Sequence, residues 1–201
     1  MRRLQTALEG PILLEPVVHR DERGFFLETY RRSALQEVGI ADEFVQDNHS
    51  RSRRGVVRGL HFQPGMAKLV RCARGAILDV VVDLRVGSPT YGRHETVLLD
   101  DVDRAAVYVS EGLGHAYICL EDGSAFLYLC SAPYAPGREH GVHPLDPELG
   151  IEWPTTGRDG RPLTPVLSPK DSAAPGLSEA ADRGLLPSYQ SALAFRAGLA
   201  D

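Results

Sequence analysis

The sequence predicts an all-β fold, a β-sandwich or jelly roll with a few short helices at its edges. Two observations predict it. Short runs in which apolar and polar residues alternate dominate from residue 12 to about residue 130. Turn signals rich in Gly, Ser and Pro separate these runs at intervals of roughly ten residues, which is typical of sandwiches and barrels.

The clearest strand is the run ILDVVVDLR at residues 77–85, where alternation predicts a half-buried strand. The turn VGSPTYG ends it, and further strands are predicted in HETVLLD, AAVYVS, HAYICL and SAFLYLC. The alternation assigns Leu78, Val80, Val82 and Leu84 to one face and Asp79, Val81, Asp83 and Arg85 to the other.

Helical signals are short and peripheral. Ser33 is predicted to cap ALQEV before Gly39, and Ser178 and Ser188 are predicted to cap EAADR and YQSALAFRAGLA. The stretch PTTGRDGRPLTPVLSPKDSAAPG predicts a long loop because it is rich in Gly, Pro, Ser and Thr. We expect one domain over residues 1–201, with a C-terminal helical extension at about 172–201.

Composition narrows the possible classes of protein. With 43% apolar and 24% charged residues, the chain is expected to fold around a core. A net charge of −5 provides no overall basic field, so nucleic acid is not an expected partner and an anionic ligand needs a local cluster of cations.

The expected compartment is the cytoplasm. Cys72, Cys119 and Cys130 are odd in number and lie in apolar runs without CxxC spacing, which indicates core thiols in a reducing environment. The first apolar run is broken by Gly, Pro and Glu, so we expect neither a signal peptide nor a membrane-spanning helix.

Four polar residues stand out on predicted strands: His61 in RGLHFQ, Lys68 in GMAKLV, His115 in EGLGHAY and Tyr128 in AFLYLC. Each of them alone is compatible with a surface or a satisfied core position. Together they are costly for a plain core, because every buried polar group needs a partner. The cluster therefore predicts a ligand site on the concave faces of the sheets.

A metal site is not expected there. A metal ion on such a fold needs several N and O ligands, typically an HxH pair, a nearby Glu and a later His. Gln63 occupies the second histidine position here, and Arg58 and Lys68 would repel a cation.

The spacing of Arg58 and His61 raises a question of strand geometry. In a regular strand, residues three apart point to opposite faces. A bulge at Gly59 would bring both side chains inward, which the sequence permits but does not require.

Several motifs in series identify a family. In order, these are RGLHFQ, the lysine seven residues after its histidine, GSPTYG, EGLGHAY, FLYLCSAPYAP and DPELGIEWP. From Asp21 to Tyr189 the chain resembles the dTDP-4-dehydrorhamnose 3,5-epimerase family. The resemblance implies a jelly-roll (cupin-like) homodimer that acts on a dTDP-4-keto-6-deoxyhexose without a metal or an organic cofactor.

The resemblance also implies catalytic roles. His61 corresponds to the base, and Asp171 to the carboxylate that holds the other ring nitrogen. Lys68 corresponds to the cation that stabilises negative charge on the carbon-4 oxygen. Tyr128 corresponds to the acid on the opposite face of the sugar.

Binding roles follow from the same matches. The segment DERGFFLETY is implied to reach across the dimer into the partner's site, Arg58 to bind the pyrophosphate, and Tyr134 to stack on thymine. The implied substrate-binding residues are Arg23, Phe26, Glu28, Gln46, Asn48, Arg58, His115, Tyr134 and Glu139.

The match leaves alternatives open. The segment GLGHAY departs from the commoner GFAHGF-like string, so Ala116 adds a methyl group, and His94 stands where many members have tryptophan. The sequence leaves open what either change does to the sugar pocket. Our first expectation is the 3,5-epimerase, followed by a mono-epimerase of carbon 3 or carbon 5. A 3,4-ketoisomerase is a further alternative, but this chain has His61 and Gln63 where such an enzyme is expected to have a pair of neighbouring histidines. A non-catalytic sugar-binding protein is the last alternative, and it would need no base.

Overall fold

The computed structural model describes residues 1–199, and the last two residues of the predicted helical extension lie outside this part. The strands are β1 (Arg2–Leu4), β2 (Ile12–Glu15), β3 (Val18–Asp21), β4 (Gly24–Leu27), β5 (Gln46–Ser52), β6 (Val57–Phe62), β7 (Lys68–Arg74), β8 (Ala76–Asp83), β9 (His94–Asp100), β10 (Ala106–Val109), β11 (Leu113–Cys119), β12 (Ser124–Cys130) and β13 (His140–Gly141). The α-helices are α1 (Arg32–Glu37), α2 (Pro169–Ser172), α3 (Leu177–Asp182) and α4 (Tyr189–Gly198).

Two antiparallel sheets form the sandwich, so the predicted fold class is confirmed. One sheet has six strands in the order β1-β2-β10-β7-β12-β5, and the other has five in the order β13-β6-β11-β8-β9. Apolar side chains from both sheets make a shared buried cluster, for example Val70 and Phe126 from the first and Val81 and Tyr117 from the second. The hairpin of β3 and β4 forms a separate two-stranded sheet.

The predicted half-burial of the strand at residues 77–85 is wrong. Nearly all of β8 is buried on both faces. Val80, Val82 and Leu84 pack on the outer side against Leu177 and Ala180 of α3, in a second buried cluster. Alternation of apolar and polar residues therefore did not mark a solvent face, because the C-terminal segment covers one side of the sheet.

The three predicted helices are confirmed as α1, α3 and α4, but two of their three predicted caps are wrong. The short helix α2 lies within the stretch that was predicted to be a long loop. Ser188 accepts a hydrogen bond from the Ser191 N–H and caps α4 as predicted. Ser33 lies inside α1, whose N-cap is Arg31, and Ser178 lies inside α3, whose N-cap is Gly176.

A bulge at Gly59 brings Arg58 and His61 to the same side of the sheet. Across the β6–β11 pair, His61 is opposite His115 and Arg58 is opposite Tyr117, with a register shift between these pairs. Gly59 has a φ of +125°, and a Cβ there would lie 2.4 Å from the Ala116 Cβ. Glycine is required because both the backbone conformation and the close approach exclude a side chain.

The three cysteines are buried free thiols. No helix within residues 1–199 is long and apolar enough to cross a membrane.

Candidate active site

A cavity of about 550 Å³ lies between the two sheets, where β5 and β6 face each other. Its floor is closed by the apolar core, and its mouth is formed by the loops that follow β12 and precede α2. The structure brings ten of the thirteen predicted site residues together in its wall: Gln46, Asn48, Arg58, His61, Lys68, His115, Tyr128, Tyr134, Glu139 and Asp171.

His61 and Asp171 meet although 110 positions separate them in the chain. The His61 Nε2 atom lies 2.6 Å from the Asp171 Oδ1 atom. Asp171 is fixed by the first turn of α2, where the Ser168 hydroxyl accepts a hydrogen bond from the Asp171 N–H and donates one to Oδ2 at 2.8 Å. Because an ionised carboxylate can only accept a hydrogen bond, the His61 Nε2 atom carries a proton in this contact.

The charge of Asp171 is set by opposing effects. Burial raises the pKa of its carboxyl, but the hydrogen bonds from His61 and Ser168 outweigh burial, and the pKa is lowered from its ordinary value. Asp171 is therefore a carboxylate at neutral pH and can stabilise a positive charge on the His61 ring.

Lys68 and Tyr128 lie on the opposite wall, in the six-stranded sheet. Burial lowers the pKa of the Lys68 ammonium, and nearby Cys130 and Glu139 partly offset this effect. Burial raises the pKa of the Tyr128 phenol, which therefore keeps its proton at neutral pH. Neither side chain has a hydrogen-bond partner among the described residues, so both are free to contact a ligand.

A second histidine–carboxylate pair lies beside the first. The His115 Nε2 atom is 2.7 Å from the Asp79 Oδ2 atom, and both side chains are buried. Sequence reasoning missed Asp79 because it was assigned only to the polar face of a strand. The available signal was an aspartate within an otherwise apolar buried run, a position that requires a partner.

The mouth of the cavity is held by an ionic contact that sequence reasoning also missed. The Lys170 Nζ atom contacts the Glu139 carboxylate, which also accepts a hydrogen bond from the Tyr134 hydroxyl at 3.3 Å. Burial raises the pKa of Glu139, but its contacts with Lys170 outweigh burial and lower it. Gln63 anchors the adjacent loop by accepting a hydrogen bond from the Ala135 N–H at 2.8 Å.

Three predicted binding residues do not lie in this cavity. Arg23, Phe26 and Glu28 belong to the β3–β4 hairpin or follow it, away from the site of their own chain. Phe26 is 71% exposed, which is unusual for a large aromatic side chain. Arg23 pairs with Asp21 on the same hairpin.

The two departures from the commoner family pattern, Ala116 and His94, lie outside the cavity lining. Alternation along β11 directs His115 and Tyr117 into the cavity and Ala116 into the outer cluster behind the sheet. His94 lies on the edge strand β9, where its Nδ1 atom is 3.0 Å from the Leu149 carbonyl oxygen. Neither residue lines the cavity.

Within residues 1–199, no group of three or more His, Cys, Asp or Glu side chains is arranged to hold a metal ion. The cavity instead offers two cations, Arg58 and Lys68, that form no ion pair with the described part of the chain. Its two carboxylates, Glu139 and Asp171, are already engaged by Lys170 and His61. The arrangement is suited to an anionic ligand and to proton transfer.

Comparison with known proteins identifies the family of the chain. Residues 5–179 match the family model described as dTDP-4-dehydrorhamnose 3,5-epimerase. The chain is 50% identical to a dTDP-4-dehydrorhamnose 3,5-epimerase of Streptomyces griseus, over 97% of this chain and 96% of that protein. It is 51% identical to a dTDP-4-dehydrorhamnose 3-epimerase of Streptomyces niveus, over 94% of this chain and 90% of that protein.

A solved structure extends the likeness to three dimensions. ChmJ, a 3′-monoepimerase from Streptomyces bikiniensis in complex with dTDP-quinovose, is 43% identical, with a TM-score of 0.90 over 96% of this chain and 97% of that one. The chain belongs to the dTDP-4-dehydrorhamnose 3,5-epimerase family.

Proposed function

We propose that the protein epimerises a dTDP-4-keto-6-deoxyhexose, with dTDP-4-dehydro-6-deoxy-D-glucose as substrate and dTDP-4-dehydro-L-rhamnose as product. The observation that carries the proposal is the placement of His61 and Tyr128 on opposite walls of one cavity. A sugar bound between these walls presents one face to a base and the other to an acid. Relatives named as 3,5-epimerases support the choice of substrate.

The chemistry starts with removal of a proton next to the ketone. A carbonyl at carbon 4 acidifies the C–H bonds at carbons 3 and 5, so a base can form an enolate there. In the proposal, His61 takes the proton and Asp171, 2.6 Å away, stabilises the imidazolium that results. The lowered pKa of Asp171 keeps that carboxylate ionised throughout the step.

The enolate then needs stabilisation and a new proton. In the proposal, Lys68 lies near the carbon-4 oxygen, where a partly desolvated ammonium without a carboxylate partner attracts developing negative charge strongly. Tyr128 donates a proton from the other face, which inverts the carbon. Water then takes the proton from the His61 imidazolium and returns one to the Tyr128 phenolate, which closes the proton balance. Since there is no net oxidation or reduction, the proposed reaction requires no cofactor.

Substrate binding is proposed for the remaining residues of the wall. Arg58 would hold the diphosphate through its planar array of donors. Tyr134, at the mouth, would stack on the thymine base, and Glu139 beside it would contact the nucleotide. Gln46, Asn48 and His115 would contact the nucleotide sugar.

The test is deuterium incorporation into dTDP-4-keto-6-deoxyglucose in D₂O, followed by NMR at both carbons beside the ketone. We expect exchange at carbons 3 and 5 together with an L-configured product. Exchange at one carbon only would support the alternative, a mono-epimerase like the 3-epimerases among the relatives. Exchange at neither carbon would contradict both.

We also propose a homodimer in which the hairpin enters the partner's cavity. This exchange is supported by the exposed Phe26 and by Arg23 and Glu28, which do not line the cavity of their own chain. Mixing Arg23→Ala protein with His61→Asn protein tests it, since mixed dimers contain one site with both native residues. We expect each variant alone to be nearly inactive and the mixture to recover roughly a quarter of native turnover. Mixed dimers without recovered turnover would contradict the exchange.

The domain organisation and the compartment are proposals as well. We propose one jelly-roll domain with a C-terminal extension. In this extension α3 packs on the outer face of the five-stranded sheet through Leu177 and Ala180, and α4 contacts Glu9 through Tyr189 and Arg196. Three free buried thiols favour the cytoplasm.

A further inference from the structure

Beyond the implied site residues, a second phenol lies in the cavity wall. Tyr117, on β11, lines the cavity although its side chain is only 3% exposed. Its hydroxyl lies 2.9 Å from the Ser50 hydroxyl on β5, so the contact joins the two sheets. The ring packs on Phe126 with centroids 4.2 Å apart, which fixes the direction in which the hydroxyl points.

Tyr117 belongs to a group of four side chains, here called the hydroxyl corner: Ser50, Ser52, Arg58 and Tyr117. Arg58 is directly opposite Tyr117 across the β6–β11 pair, and its Nε–H donates to the Ser52 hydroxyl at 3.2 Å. Ser50 and Ser52 lie two residues apart on β5 and therefore share a face. One hydroxyl, that of Ser52, thus contacts the Arg58 guanidinium, and the Ser50–Tyr117 pair lies on the neighbouring positions of the same two strands.

The charge of the hydroxyl corner is uncompensated. Arg58 forms no ion pair with any carboxylate in the part of the chain that the structure describes, and its two Nη groups have no protein acceptor there. Burial raises the pKa of Tyr117 to about 12, although Ser50 and Arg58 act in the opposite direction. Tyr117 therefore stays a neutral O–H donor at every working pH, beside a permanent cation.

We propose that Tyr117, supported by Ser50, is a binding residue for the diphosphate of the substrate and donates a hydrogen bond to a phosphate oxygen next to Arg58. This inference rests on the proposed function and assigns to Tyr117 a role that a phenylalanine cannot perform. The Ser50–Tyr117 pair fits a phosphate because the Ser50 hydroxyl can donate to the Tyr117 oxygen, which leaves the Tyr117 hydrogen free for a phosphate oxygen.

The test compares the affinities of dTDP and thymidine for native protein, Tyr117→Phe and Ser50→Ala, by titration calorimetry. We expect Tyr117→Phe to bind dTDP about tenfold more weakly, because a hydrogen bond to a charged group is lost. Thymidine affinity should change less than about twofold, since it has no phosphate. Ser50→Ala should shift dTDP affinity in the same direction. Tyr91→Phe, a phenol outside the cavity, is the matched control.

Other outcomes overturn the inference. If Tyr117→Phe lowers thermal stability but leaves dTDP affinity unchanged, the hydroxyl only joins the two sheets. If dTDP affinity is unchanged and affinity for the dTDP-sugar falls, the hydroxyl contacts the sugar instead. If the native protein does not bind dTDP, the proposed function fails. If the native protein binds dTDP and Tyr117→Phe binds it equally well, only the role of Tyr117 fails.

Discussion

Replacing His61 with asparagine is expected to lower epimerase turnover by about 10³-fold while dTDP binding stays within a few fold of native, in line with the usual contribution of a general base. Asparagine is smaller than histidine and cannot take a proton from carbon. Its amide nitrogen ends near the position of the ring Nδ1 atom, so the contact that His61 Nε2 makes with Asp171 is lost, while Ser168 still holds the Asp171 carboxylate. The cavity wall should therefore persist, since His61 is half-buried and the strand pairing of β6 does not depend on its side chain.

Two readouts distinguish a lost base from a damaged fold. Turnover is followed by NMR on the dTDP-4-keto sugar, and dTDP affinity is measured on the same preparation. His49→Asn is the matched control, because His49 lies on β5 next to the cavity but points to the exposed face. Unchanged turnover in His61→Asn would disprove the assignment of the base.

The partner carboxylate gives a second test of the same pair. In Asp171→Asn, the amide can still contact His61 but cannot stabilise its positive charge, so we expect a loss of about 10²-fold or more. The direction of the pKa shift sets the pH range. The pKa of Asp171 in the folded protein is lower than its ordinary value of 3.8. The ionised carboxylate therefore contributes fully to the stability of the fold above pH 3.8, and this contribution is lost only as the pH falls through the lowered pKa. Asp171 should therefore not limit activity at neutral pH.

Local patterns in the sequence predicted the strands β6 to β12 and much of the cavity wall, but β1 to β5 and β13 were not predicted individually. Alternation determines which side chains share a face, and this placed Lys68, His115 and Tyr128 on inner faces. Arg58 joined them only through the bulge at Gly59, which the sequence permitted but could not prove.

Contacts between distant segments could not be predicted from spacing. Asp171 lies in a stretch that was predicted to be a loop. Only the family resemblance related it to His61, which lies 110 positions earlier in the chain. Asp79 and Lys170 were missed because their partners, His115 and Glu139, come from other elements. The same limitation explains the wrong half-burial of β8, since the helix that covers its outer face begins almost a hundred residues later.

Replacing Tyr128 with phenylalanine is expected to separate proton removal from inversion. His61 would still form the enolate, but the donor on the opposite wall would be absent. The imidazolium would then return a proton, or a deuteron in D₂O, to the face from which it was taken. We expect inverted product to fall by about 10²-fold or more, as for loss of a general acid, while deuterium continues to enter the unreacted sugar.

This variant is informative because phenylalanine preserves the packing. Tyr128 is half-buried and its ring lies 5.4 Å from that of Phe126, so the aromatic contact remains after the change. Tyr91→Phe again serves as the control outside the cavity.

Comparing exchange and inversion at each carbon in Tyr128→Phe also tests whether Tyr128 donates a proton to one carbon or to both. If exchange and inversion fall together, Tyr128 positions the sugar and does not donate the proton. If inversion continues at both carbons at the native rate, the acid is another group. Loss of inversion at one carbon only would mean that the two centres receive protons from different donors. His61 and Tyr128 occupy fixed positions on opposite walls, so one pair can invert both carbons only if the sugar ring turns between the two steps. If carbon 3 is inverted while carbon 5 takes up deuterium without inversion, the sugar ring has not turned between the two steps.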